Sequence, residues 1–197
     1  MWDQRYGQPG YLFGTEPAEF LKRESRHLPE GADVLCVADG EGRNSVYLAG
    51  LGHRVTAFDA SGVALEKARA LAAGRGVAPE FHLSGVEDWD WGRTHDAVVA
   101  VFIQFAPPPL RDRILGWLAQ AVAPGGLVLL HGYVPRQLEY GTGGPPQAEN
   151  MYDTELLRAA FDGFEILRLE EYDAMIDEGP GHSGKSALID LVARKPA

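Results

Sequence analysis

The stretch 34-VLCVADGEGRNSVYLAGLGHRVTAFD-59 holds a strand, a glycine turn, a helix and a second strand in close succession. Its opening residues form a short apolar run of the kind buried on both faces of a parallel sheet. Gly40 and Gly42 let the backbone turn sharply and approach a ligand, and the helix that opens at Arg43 presents free N–H groups at the same point. The second strand ends at Asp59, 17 residues beyond Gly42. A carboxylate there can accept hydrogen bonds from both hydroxyls of a ribose, at close to the roughly 20-residue spacing of nucleoside-binding α/β folds. The pairing of turn and acid favours an adenosine cofactor. The nicotinamide pattern G-x-G-x-x-G asks for a third small residue, for which the chain offers Ser45, so these residues alone leave the cofactor open.

Strand-length apolar runs and helix-period segments alternate on either side of this stretch, which predicts a parallel sheet with crossover helices. A first helix is expected over 16–28, with Thr15 as its cap and Pro17 in its first turn. Strands are expected at 32–38, 53–59, 80–84, 95–104 and 127–133, and two closing strands at 164–174 and 186–195. Helices are expected at 43–51, at 62–74 behind a Ser61 cap and ending on Gly74 and Gly76, at 110–122, and at 154–161. The expected fold is a single-domain, doubly wound, Rossmann-like α/β domain over 1–197. Its mostly parallel seven-stranded sheet closes in a C-terminal antiparallel hairpin over 164–194. Residues 133–152 contain a long segment without periodicity, and loops of that length are usually functional.

The segment 179-GPGHSGKS-186 matches the phosphate-loop pattern G-x-x-x-x-G-K-[ST] letter for letter. That motif must open a helix, whereas the chain beyond Ser186 is the short, strand-like ALIDLVARKPA. The match is read as a glycine-rich hairpin. If the closing strands pair as expected, their connection lies at the carboxyl edge of the sheet, where such folds bind ligands, and brings His182, Ser183 and Lys185 toward a substrate.

The chain has 197 residues, 45% of them hydrophobic and 23% charged, which fits one ordinary globular domain. A formal net charge of −10 disfavours nucleic acid as a partner. No apolar run approaches a membrane span and no leader pattern opens the chain. A cytoplasmic protein without membrane association is expected, monomeric or homodimeric, acting on a small molecule. The single cysteine, Cys36, cannot form an internal disulfide, and the 6 histidines lack ligand spacing, so no metal site is assigned.

Several segments together resemble the class I S-adenosylmethionine-dependent methyltransferases, and within them the small tellurite-resistance and thiopurine-methyltransferase-like group. WDQRY and YLFGTEPAEFL are similar to that group's N-terminal lid (1–30 here), GEGRNSVYLAGLGHRVTAFD to its cofactor turn and second strand, PGG before LVLLHGY to its turn into the fifth strand, and LVARKP to its last strand. The resemblance implies S-adenosyl-L-methionine as cofactor. It places the cofactor against Asp39, Gly40, Glu41 and Gly42 of the turn, Arg43 and Asn44 at the helix start, and Asp59 with Ala60. Phe102 and Ile103 at the end of the fourth strand lie beside the methyl position. Tyr6, with Trp2, Tyr11 and Phe13, can fold over the cofactor or serve as core.

The chain departs from the group at four positions, one of them Asp39, where the group has a cysteine or similar small residue. Cys36 replaces an acid, Ala38 replaces a glycine, and Gly85 replaces an acid near the adenine. Asp39 then stands in for the first acid, and the adenine edge falls to the backbone around Val86 and to Glu87 or Asp88.

The resemblance implies a methyltransferase acting on a small soluble acceptor, such as a thiol or a chalcogen oxyanion like tellurite. A soft acceptor of this kind needs little base assistance, whereas a hydroxyl or protonated amine needs a general base. His182 and His131 are the candidates for that role, and Lys185 and Tyr140 complete the candidate catalytic set. Tyr140, Glu149 and Tyr152 are expected to line the acceptor site. The alternatives are a nicotinamide-dependent oxidoreductase and an adenosylmethionine-binding protein without catalysis.

Overall fold

The computed structural model describes residues 2–197. Seven strands form one sheet in the order β3-β2-β1-β4-β5-β7-β6. They are β1 (Asp33–Val37), β2 (Arg54–Asp59), β3 (Glu80–Leu83), β4 (His95–Val101), β5 (Val122–Tyr133), β6 (Glu165–Asp177) and β7 (Ser183–Arg194). The first five run parallel, and β7 inserts antiparallel between β5 and β6. The expected α/β class, sheet and closing hairpin are the observed ones.

Alternation along β1 shows how the sheet divides the core. Leu35 and Val37 face a layer built with α5 (Pro108–Ala121) and α6 (Thr154–Ala160), where Ile114, Leu118 and Leu157 are buried. Val34 and Cys36 point the other way, onto Phe20 and Leu21 of α2 (Glu19–Glu24) and Leu48 of α3 (Arg43–Gly50). Successive strand residues face opposite sides, so an unbroken apolar run needs cover on both. The helix α4 (Gly62–Arg75) packs on α3. A Cβ on Gly42 would lie 2.7 Å from the Ala68 Cβ, so the bare glycine sets how closely these two helices approach.

Helix ends differ from expectation in physically traceable ways. Ser61 does cap α4, its Oγ accepting from the Ala64 N–H at 3.1 Å, but the helix runs through Gly74 and stops at Gly76, which adopts φ 69°. Thr15 caps nothing. Pro17 disfavours helical backbone at the residue before it, so α2 starts only after Ala18, whose N–H is satisfied instead by Asn44 Oδ1 at 3.0 Å. A short helix, α1 (Trp2–Tyr6), lies within the segment expected as a lid. The strand expected over 95–104 ends at Val101, and the closing strands extend further toward each other than expected. Residues 183–186 of the phosphate-loop match belong to β7, so no helix succeeds the glycines.

The edge strand β6 carries Glu165, Glu170, Glu171, Asp173 and Asp177, all exposed. The opposite edge, β3, has only 4 residues.

Two non-glycine residues adopt left-handed backbone, Ala38 with φ 48° just past β1 and Phe102 with φ 56° just past β4. These strands are neighbours, so the strain sits on both sides of one gap. Left-handed backbone costs an L-residue about 1–2 kcal/mol, and such strain gathers at functional sites. Replacing Ala38 by glycine relieves this cost while adding flexibility to the unfolded chain. Calorimetric melting should show Ala38→Gly stabilised by about 0.5–1 kcal/mol, or roughly 1–4 °C. A lower melting temperature would mean that the turn is not strained in solution.

Candidate functional site

The carboxylate of Asp59 organises the turn beside it. Oδ2 accepts the Gly40 N–H at 2.9 Å and Oδ1 accepts the Ser61 N–H at 2.9 Å, so one side chain fixes the carboxyl ends of both β1 and β2. Asp59 is buried, and that burial raises its pKa despite the backbone donors. Each oxygen retains a lone pair for a further donor. Gly40 has φ 61°, and a Cβ there would sit 2.8 Å from the Tyr6 hydroxyl. Glycine therefore lets α1 close over the turn.

A cavity of about 530 Å³ opens above the gap between β1 and β4, within the size range of small-ligand sites. The turn contributes Ala38, Asp39, Gly40 and Glu41, and the start of α3 contributes Arg43 and Asn44. Asp59 and Ala60 line it from β2, Val86, Glu87 and Asp88 from the segment after β3, and Phe102 and Ile103 from the end of β4. Trp2, Tyr6 and Phe13 border it from the N-terminal segment and His182 from the β6–β7 connection. The structure thus gathers most of the expected residues around one space. Gly42 is not on its wall and acts through the α3–α4 contact.

Several polar groups expected to face a cofactor are engaged by protein. Glu41 accepts from Leu12 N–H at 2.7 Å and from Lys67 at 2.9 Å, which draws the N-terminal segment down over the turn. Arg43 pairs with Glu178 at 2.8 Å with both side chains buried, and Glu178 in turn accepts the Glu19 N–H at 3.2 Å. Glu87 pairs with Arg113 at 3.0 Å on the surface. A Cβ on Gly85 would lie 3.2 Å from Asp88 Oδ2, an exposed carboxylate that can move aside.

Asp39 is the least satisfied acid of the site. Ser45 Oγ donates to it, yet burial and then the nearby Asp59 charge push its pKa up to about 7. Cys36, which stands where the resembling group has an acid, faces the apolar layer instead.

Three expectations for the catalytic set are corrected. His131 points away from the cavity; it is bonded to the buried Asp190 at 2.7 Å and stacked on Phe20 at 4.9 Å. Arg23 and Arg168 reach the same Asp190 at 2.5 and 3.0 Å, so His131 belongs to a structural ion cluster. Lys185 lies over the Tyr140 ring at 4.3 Å and 3.7 Å from Asp173, outside the cavity, and Tyr140 bonds Asp173 as well. Of the loop residues, Tyr152 is sealed in the core and Glu149 is exposed at the surface. Tyr11 bonds the Lys67 carbonyl at 3.2 Å and does not reach the cavity wall.

In their place the loop supplies Gly144, Pro145, Pro146, Gln147 and Asn150. The Gly-Gly-Pro-Pro turn is the available sequence signal for this wall. Gln104 reads from the sequence as a polar strand end beside the expected methyl position. Its amide pairs twice with the Tyr133 backbone, at 2.7 and 2.6 Å, extending the β4–β5 ladder by a side chain. Among the described residues no cluster of three or more metal-ligating side chains occurs, and no helix is long and apolar enough to cross a membrane.

Residues 34–126 match the family model described as a methyltransferase domain. The 2-heptyl-1-hydroxyquinolin-4(1H)-one methyltransferase of Mycobacteroides abscessus is 28% identical over 126 residues, covering 62% of this chain and 55% of that protein. The chain therefore spans about half the length of this curated relative. A structure solved in work on the conversion of a disulfide bond into a thioacetal group during echinomycin biosynthesis has TM-score 0.77 at 20% identity, covering 98% of this chain and 88% of that one. TehB from Haemophilus influenzae has TM-score 0.71 at 18% identity, covering 98% and 65%. Magnesium protoporphyrin IX methyltransferase from Synechocystis, with bound SAH, has TM-score 0.68 at 17% identity, covering 89% and 79%. The structural likenesses speak for the fold, and the family match spans the chain from β1 into β5, the part that builds the glycine turn and Asp59. Residues 34–126 carry a methyltransferase domain, and over nearly its whole length the chain has the fold of S-adenosylmethionine-dependent methyltransferases.

Proposed function

We propose that this protein transfers a methyl group from S-adenosyl-L-methionine to a small-molecule acceptor. The observation that carries the reading is Asp59, which on the wall of the cavity holds the glycine turn by one oxygen and the end of its own strand by the other. The residues present fit the cofactor: Asp59 receives the ribose hydroxyls, Val86 and Asp88 border the adenine, and Asp39 receives the ammonium group. An acid that burial holds half-protonated near neutrality is stabilised by a cation set beside it. The bound cofactor supplies an electrophilic methyl group on a cationic sulfur. The chain aligns acceptor and methyl and excludes water, which can contribute several kcal/mol. Tyr6 and Phe13, drawn down by Glu41, close the cavity on one side.

A thiol needs little base assistance and is one acceptor compatible with this reading. The chalcogen oxyanion expectation has less support, because Arg43 is neutralised by Glu178 and Arg5 lies at the exposed rim over Trp2 at 4.8 Å. A nicotinamide cofactor is the weaker alternative, since the third small position of its fingerprint is Ser45, whose hydroxyl is held by Asp39. An inactive cofactor-binding protein would bind the same ligands without turnover. Action in the cytoplasm without nucleic acid, as monomer or homodimer, is part of the same reading, as is a lid over 1–30.

Titration calorimetry with S-adenosylhomocysteine should detect binding that Asp59→Ala weakens by about 10- to 100-fold, the equivalent of a charged hydrogen bond. No binding to a folded sample would remove the proposal, and binding of NAD alone would replace it with the oxidoreductase.

The Asp39 pKa of about 7 gives a second outcome. The folded carboxyl holds a proton that the unfolded chain has already lost, so its contribution to stability declines as pH rises from about 4 through 7. An ammonium ligand pulls the pKa back down, so binding expels the proton. Affinity for S-adenosylhomocysteine should therefore rise between about pH 5.5 and 7.5, at most about tenfold per unit. Calorimetry in buffers of different ionisation enthalpy should record proton release that vanishes above about pH 8 and in Asp39→Asn.

A further inference from the structure

The lining residues around His182 differ in character from those around Asp59. The His182 ring lies against Phe13 and Phe102, at centroid distances of 4.4 and 4.1 Å, with Tyr133 edge-on at 5.7 Å. Phe105 and the Pro145–Pro146 pair add further flat apolar surface to the same cavity. His182 is itself buried, and its Nδ1 is sealed off without a partner. Because the ring still borders the cavity, Nε2 is its accessible nitrogen. Aromatic and proline faces favour flat ring systems, and a few convergent polar atoms then fix orientation.

Resting on the methyltransferase reading above, we propose that the acceptor is a flat, otherwise uncharged aromatic compound with one hydroxyl, stacked among Phe13, Phe102 and the Pro145–Pro146 wall, with that hydroxyl donated to His182 Nε2. A multiply charged oxyanion would enter this enclosure without a buried counter-charge, which is expensive. An aliphatic alcohol would leave the aromatic walls unmatched and is a poor nucleophile. In the transfer, an oxygen lone pair forms the new C–O bond, the C–S bond pair returns to sulfur, and the hydroxyl proton passes to Nε2. The donor leaves as a neutral thioether, and the imidazolium loses its proton to solvent. Burial and then the Arg43 charge hold the His182 pKa well below the ordinary range, so that loss is easy.

The test uses the whole chain with S-adenosylmethionine and four probes: 2-naphthol, 2-naphthalenethiol, cyclohexanol and tellurite. Methylated product is measured by mass spectrometry for the wild type and for His182→Gln. Expected is turnover of 2-naphthol with kcat/KM at least about tenfold above cyclohexanol and tellurite. His182→Gln should lower kcat on the naphthol by about 100-fold, the size of a lost general base, while the thiol, which is largely ionised without help, changes by less than about threefold. Equal or greater activity on tellurite or cyclohexanol overturns the acceptor class, as does naphthol turnover that survives the substitution. S-adenosylhomocysteine binding by both proteins separates the cases. If the wild type binds it and naphthol is neither bound nor methylated, the acceptor class alone is wrong. If the wild type does not bind it, the parent reading falls and takes this one with it. Unchanged binding in His182→Gln shows that the variant is folded, and the less disruptive Phe102→Leu, which should weaken 2-naphthol binding, replaces it otherwise.

Discussion

The site depends on a constraint of topology. β1 and β4 are adjacent and parallel, yet the chain leaves β1 toward β2 on one side and leaves β4 toward β5 on the other. No connection crosses the gap at their carboxyl ends, so a crevice has to exist there. Ala38 and Phe102 take left-handed backbone on its two rims, and the glycine turn and Asp59 owe their places to how β1 and β2 end beside it. The floor of the cavity is thus a product of the sheet, while its roof comes from the N-terminal segment and the closing hairpin, which are far from the crevice in sequence.

The roof is fastened mainly by Arg43 and Glu178. A buried ion pair adds little net stability, because desolvation offsets the attraction, but it specifies geometry and is costly to break from one side. Here the pair joins the start of α3 to the end of the hairpin, and the Glu19 N–H adds α2 to the same carboxylate. Glu178 also donates its N–H to the His182 carbonyl at 2.8 Å. The position of the imidazole is therefore referred back to the glycine turn through two residues. Arg43 is a positioning residue for His182, although the two are far apart in the chain.

What is legible in the sequence is local. Gly40 and Asp59 lie at the two ends of one turn-helix-strand stretch, 19 residues apart, and the Ser61 cap acts on Ala64 three residues on. The errors concern pairings that need register. His131 sits opposite Asp190 across β5 and β7, and nothing in either segment announces that partnership. Lys185 is expected near the substrate only if β7 begins at 186. With the strand starting at Ser183, Lys185 is part of the ladder and its side chain goes to Tyr140 and Asp173. Tyr152 is expected to line the acceptor site, yet the loop folds back and seals it in the core. The Gly-Gly-Pro-Pro turn lies in the long segment without periodicity, whose length marks it as functional but does not say which of its residues reach the cavity.

The acidic edge strand bears on how the chain behaves in company. An edge strand of 13 residues, paired on one side only, is a template onto which another chain can add. Three of its five carboxylates, Glu165, Glu170 and Asp173, are ion-paired, but against the one basic residue of the strand, Arg168, the excess of acid still repels a second copy approaching in the same manner, and the other edge, β3, is too short to offer much pairing. Part of the net charge of −10 therefore acts as a barrier to fibre-like growth rather than as a means of recognition. Crowding, high salt or acid, each of which weakens that repulsion, are the conditions under which the protein would be hardest to keep in solution.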